Sequence, residues 1–119
     1  MFRFEKLEIW QAAIAYTNRI YSVTRAFPRE ELYSLVDQLR RCSSSIAANI
    51  AEGSGSSSDK DFSHYLDISI KSTYESVSHL RIAKDQGYIT NKLLESLYEE
   101  ADHLARRIRA FRKTLLAKT

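Results

Sequence analysis

Two pairs of residues have the spacing of a metal site. Glu100 and His103 stand three apart, as do Asp61 and His64. On a helix that spacing puts a carboxylate and an imidazole on one face, the arrangement used by di-iron helical proteins. Such a centre needs two Glu-x-x-His pairs and two more Glu, all pointing inward. With Leu97 at the centre of its helix's apolar face, His103 lies about 120° away and points outward. Nucleophile and phosphate motifs fare no better. The run GSGSSS lacks the Lys of a phosphate-binding loop and follows a helix rather than a strand. Ser57-x-x-Lys60 has the spacing of a serine acylation motif without its companion motifs. Nothing beside Cys42 in the sequence singles it out as a nucleophile, the preceding Arg40 and Arg41 included, and it reads as a small buried packing residue. His79, next to Leu80, is read at a helix boundary. No paired buried carboxylates, His-Cys cluster or Gly-rich loop stands out. The expectation is a protein that is not an enzyme, with no cofactor and no metal.

Charge is more informative. From residue 90 to 105 the chain carries Lys92 against Glu95, Glu99, Glu100 and Asp102. From 106 onward it carries Arg106, Arg107, Arg109, Arg112, Lys113 and Lys118 with no acid. Acids at a helix start and bases at its end complement the helix dipole, which accounts for the order. Six bases in so short a segment exceed that need. Arg106, Arg109 and Lys113 share one helical face, with Arg107 extending the patch. Arg pairs phosphate bidentately better than Lys does. Arg106, Arg107, Arg109, Arg112 and Lys113 are therefore the candidate contacts to RNA or DNA phosphates. Most of the seven Tyr are placed at core or near-core positions.

A second polar set lies on the stretch RRCSSSIAANIAEG. Gln38, Arg41, Ser45, Asn49 and Glu52 recur at helical steps opposite a leucine-rich face. Small residues around them allow another backbone to come close, and Ser69, Ser72, Thr73 and Ser76 offer a matching run. Close packing of two helices explains the serines. The stripe itself reads as a surface that meets another subunit or lines a channel between subunits.

These groups are carried on four helices, expected at about 6–26, 29–52, 59–86 and 91–117, in one domain over 1–119. On the first, Leu7, Trp10, Ile14, Thr17, Tyr21 and Thr24 form the expected apolar face, with Ala13, Ile20 and Phe27 beside them. On the second the face is Leu32, Leu35, Val36, Leu39, Ser43, Ile46 and Ile50, with Gly53 and Gly55 ending the helix. Ser58 caps the third helix, Gly87 closes it and Thr90 caps the fourth. Leu93, Leu97, Ala101, Leu104, Ile108, Phe111 and Leu115 give the fourth its seam. Three Gly and one Pro in 119 residues leave few turns, and long amphipathic helices with short connections stack antiparallel. The fold class is all-α, an antiparallel up-down-up-down four-helix bundle. No apolar run spans a bilayer, and MFRFEKLEIW lacks the apolar core of a signal peptide, so the expected location is cytoplasmic with no membrane partner.

Four segments carry a family resemblance: FEKLEIWQAA, FPREELYSLVDQLRRCSSSIAANIAEG, SIKSTYESVSHLRIA and the basic end of the last helix. They resemble the bacterial four-helix-bundle proteins encoded in intervening sequences of large-subunit ribosomal RNA genes. The accessory variability determinant proteins of diversity-generating retroelements are relatives of that group. Ser72 and Glu75 match the family's Ser-x-x-Glu pattern. The resemblance implies a homopentameric barrel, no enzymatic activity and, by way of the retroelement relatives, nucleic-acid binding through basic surface. The resulting expectation is an oligomeric nucleic-acid-associated binding or scaffold protein. The alternative is a protein–protein interaction scaffold that binds no nucleic acid.

Overall fold

The structure is a computed structural model that describes residues 1–118. A 3-10 turn at Arg3–Lys6 leads into α1 (Glu8–Thr24). A second 3-10 turn, Arg29–Glu31, precedes α2 (Leu35–Ser54), followed by α3 (Asp59–Asp85) and α4 (Asn91–Ala117). There is no strand among the described residues. Side-chain pairings fix the directions. Ser45 meets Ser72 and Gly53 meets Tyr65, so α2 and α3 run antiparallel. Thr17 meets Ser43, and Arg40 reaches Thr24, which sets α1 against α2 the same way. Arg112 meets Ser63, Glu8 meets Arg107 and Arg19 meets Glu100, placing α4 antiparallel to both α3 and α1.

Local signals account for α3 and α4. The Ser58 hydroxyl accepts from the Asp61 amide at 3.1 Å and the Thr90 hydroxyl from the Leu93 amide at 3.1 Å. Each supplies a partner to an otherwise orphaned first-turn N–H. Gly87, at φ 81°, takes the left-handed turn that separates the two helices. Phe62, Leu66, Leu80 and Ala83 of α3 are buried, and of the expected α4 seam Leu97, Ala101, Leu104, Ile108 and Leu115 are buried while Leu93 and Phe111 are half-buried.

The first half of the chain departs from expectation in three ways. First, the buried stripe of α1 is Ile9, Ala13, Tyr16 and Ile20, with Thr17 and Thr24 beside it. Leu7, Trp10 and Ile14 are only half-buried and Tyr21 is exposed. The helix has two apolar stripes, and the core takes the one whose polar atoms find partners. Tyr16 Oη pairs with Ser76 Oγ at 2.7 Å and Thr17 donates to the Ser43 carbonyl at 2.9 Å. Second, α2 begins at Leu35 rather than near 29, because Pro28 opens a 3-10 turn and residues 32–34 form a further turn. Leu32, expected in the core, is exposed as a result. Third, Gly53 does not end α2, which continues to Ser54 with Gly55 as its C-cap. A Cβ at residue 53 would lie 2.6 Å from Phe62 Cδ1 and 2.8 Å from Tyr65 Cβ, so this glycine lets α2 and α3 converge. Farther along the same seam Ser69 donates to the Ile46 carbonyl at 2.8 Å, the close small-residue packing foreseen for these helices.

Candidate nucleic-acid interface

The last four turns of α4 bury Leu104, Ala105, Ile108 and Leu115 and so direct their bases outward. Arg106, Arg109 and Lys113 lie together on the exposed face. Arg106 Nε pairs with Asp102 at 3.0 Å, one turn back, with both side chains more than half exposed. Arg109 donates to Tyr74 Oη at 3.3 Å, its guanidinium 6.0 Å from the ring centroid. Lys113 is exposed and has no ion pair among the described residues. The other two candidates turn aside. Arg107 reaches across to Glu8 of α1 at 3.4 Å, and Arg112 donates to the Ser63 carbonyl of α3 at 2.9 Å. The five bases thus form a face of three with one on each flank. Ion pairs of this kind near the surface are weak and hold Arg106 and Arg107 only loosely.

The structure adds aromatic rings to this face and corrects the expectation that the Tyr are mostly core residues. Of the seven, Tyr16 alone is buried, while Tyr21, Tyr33, Tyr74 and Tyr98 are exposed. Tyr74 and Tyr98 flank a cleft of about 170 Å³ between α3 and α4, which Thr73, Val77, Ala101, Asp102 and Ala105 complete. Each ring follows a buried residue, Thr73 or Leu97, by one position. One helical step is about 100°, enough to carry a ring out of the core. That count along the sequence could have found them. Arg3 lies near the same end of the molecule, its guanidinium 5.2 Å from the Phe62 ring centroid.

The polar stripe of α2 divides. Asn49 Nδ2 donates to the Ser45 carbonyl at 2.8 Å and to Ser45 Oγ at 2.9 Å, and Ser45 Oγ pairs with Ser72 Oγ at 3.0 Å. Ser45 and Asn49 thereby satisfy each other and α3 within one chain. Gln38, Arg41 and Glu52 are exposed. Arg41 holds Asp37 at 2.7 Å, and this carboxylate raises the already high pKa of the guanidinium.

Cys42 is buried, as the sequence suggests, but it is not remote from histidine. Glu75 and His79 of α3 come to it, and His79 lies inside that helix rather than at its boundary. Burial, and next the Glu75 charge, push the Cys42 thiol up to about 12. Burial likewise pushes the Tyr16 phenol up to about 12. His103 points outward, as its place on the helix predicts, and His64 is exposed as well.

No curated protein matches the chain. Among solved structures, its fold is similar to a protein of unknown function from the S23 ribosomal protein family of Bacteroides thetaiotaomicron VPI-5482. The TM-score is 0.81 at 24% identity, over 88% of this chain and 98% of that one. Residues 5–110 match the 23S rRNA-intervening sequence protein family. That match takes in all of α1, α2 and α3 and most of α4, and by it the chain belongs to the 23S rRNA-intervening sequence protein family.

Proposed function

We propose that this chain is a non-enzymatic, nucleic-acid-associated binding protein that contacts RNA or DNA phosphates through α4. The observation that carries the reading is the exposed set of Arg106, Arg109 and Lys113 beside the solvent-facing rings of Tyr74 and Tyr98. Bases next to rings are what a single-stranded nucleic acid needs: charge for its backbone and faces on which to stack. The protein works in the cytoplasm as a homo-oligomer, a pentameric barrel of four-helix bundles. Five copies repeat the basic face around an axis, and repetition multiplies a weak phosphate site without new contacts. The resemblance of residues 27–53 to the accessory proteins of retroelements points the same way. No helix among the described residues is long and apolar enough to cross a membrane.

The test is binding to single-stranded RNA, to structured RNA and to duplex DNA, titrated against salt. Wild-type affinity should fall steeply with salt, with a log–log slope of about −0.9 per duplex phosphate neutralised. Replacing Arg106, Arg107, Arg109 and Arg112 by Gln together should abolish binding while the helical circular dichroism is kept. Failure of the wild type to bind at low salt would move the reading to a protein scaffold with no nucleic-acid partner. One observation favours that second reading: Tyr21, Leu32 and Tyr33 are all exposed around a cleft that Arg40 and Arg41 also line. Apolar rings and Arg together are the composition of a protein-binding surface.

A further inference from the structure

Cys42 faces α3 from α2, and Glu75 and His79 stand one turn apart on α3. One donor atom from each, the Cys42 sulfur, a Glu75 carboxylate oxygen and a His79 ring nitrogen, lies within 4.8 Å of the other two. His79 Nε2 and Glu75 Oε2 are 3.2 Å apart. A carboxylate only accepts, so with His79 neutral the Nε2 atom carries the proton and the lone pair sits on Nδ1. That Nδ1 is buried and has no hydrogen-bond partner among the described residues. The ring nitrogen that faces Glu75 is Nε2, so Nε2 is the atom placed to ligate beside that carboxylate. The Cys42 thiol gives its weak hydrogen bond within its own helix, to the Leu39 carbonyl at 3.5 Å.

We propose that Cys42, Glu75 and His79 form a three-ligand site for a divalent transition-metal ion of the zinc class. A sulfur, an imidazole nitrogen and a carboxylate oxygen are the donors that a borderline-soft ion prefers over magnesium or calcium. Zinc binds sulfur at about 2.3 Å and nitrogen or oxygen at about 2.0–2.1 Å, so the edges of its tetrahedron run to roughly 3.3–3.6 Å. The 3.2 Å pair already has that edge. The other separations, none beyond 4.8 Å, close by about one ångström of side-chain motion, and Glu75 has the freedom to supply it, with its side chain 57% exposed. Exposure of Glu75 also gives the ion its way in, while Cys42 and most of His79 stay shielded from water. Binding forms a sulfur–metal bond and sends the thiol proton to solvent; the His79 ring proton moves from Nε2 to Nδ1, so that Nε2 coordinates through its lone pair, and the carboxylate adds through one of its own. Three protein ligands leave a fourth position for water or an incoming group. The ion ties α2 to α3 midway along their seam, away from the basic end of α4, so the site stands or falls independently of nucleic-acid binding.

The experiment uses the full chain, untagged, reduced and stripped with chelator. Cobalt(II) serves as the spectroscopic probe, and zinc affinity is then read by competition with a chromophoric chelator. The expected result is one Co²⁺ per chain with a thiolate-to-metal charge-transfer band that vanishes in Cys42→Ser. His79→Gln and Glu75→Gln should each weaken zinc binding by at least about tenfold. Absence of the band in the wild type, its survival in Cys42→Ser, or unchanged zinc affinity in His79→Gln would overturn the site. If Cys42→Ser does not fold, the wild-type band and the two α3 variants decide the question.

Discussion

At position 53 the side chain is a single hydrogen because nothing larger fits. The residue is helical with φ below zero, so the reason is space and not backbone strain. The atoms that crowd it belong to Phe62, itself 1% exposed, and to the first carbon of Tyr65, neither of them a flexible tip. Gly53→Ala should therefore destabilise the protein by about 1–3 kcal/mol, the usual cost of overpacking, read from the urea midpoint. Gly55→Ala is the control, since its nearest foreign atom would be 3.6 Å away, an ordinary contact. Equal midpoints for the two variants would refute the close approach of α2 and α3 at this point. Tyr16 shows the opposite solution to burial. Ser76 spends its own proton on the Thr73 carbonyl at 2.6 Å, so the phenol must donate to Ser76. A large side chain crosses the core and leaves no polar atom unpaired.

Among the elements, α3 and α4 owe their limits to single residues. Thr90→Ala removes the acceptor for the Leu93 amide and should cost about 1 kcal/mol, measured by thermal or urea unfolding; no change would mean that water substitutes for the cap. The same local chemistry made these two helices readable in the sequence, since Ser58, Gly87 and Thr90 act through neighbours three or four residues away. α1 was read as a helix with Ala13, Thr17, Ile20 and Thr24 rightly placed, but the centre of its face was set on Leu7, Trp10 and Ile14, and Ile9 and Tyr16 were missed. Ile9–Ala13–Tyr16–Ile20 and Leu7–Trp10–Ile14–Tyr21 are both apolar stripes, and periodicity alone gives no preference between them. The choice depends on Ser43 and Ser76, which belong to other helices. The start of α2 was missed because Leu32 continues the helical period through residues that instead form turns. The basic end of α4 was legible as charge. Its division into an outward face and two tethered flanks was not, because Glu8, Ser63 and Tyr74 become neighbours only after the helices dock. The Cys42–Glu75–His79 cluster was invisible for the same reason. Glu75 and His79 have a one-turn spacing that any reader can see, but the thiol arrives from another helix.

Considered whole, the molecule measures 47 × 23 × 20 Å and offers distinct surfaces along its length. The basic face of α4 lies toward the end where Arg3 and Phe62 meet, and Tyr33 and Leu32 protrude before α2. Between them Gln38, Arg41 and Glu52 line the outside of α2, with no hydrogen bond or ion pair to another helix among the described residues. If this line joins subunits, Arg41→Ala should shift the assembly toward smaller species on dilution, as seen by light scattering. A variant that keeps the wild-type mass at low concentration would remove Arg41 from the interface. The antiparallel order described above also bears on the route by which the chain reaches its structure. Every helix packs against the one that follows it, and only the α1–α4 seam joins the first helix to the last. That seam is tied by Arg19–Glu100 at 2.8 Å and Arg107–Glu8 at 3.4 Å. Contacts so local in sequence place the protein among chains that fold in roughly microseconds to milliseconds. The hairpins can form before the first and last helices close on each other.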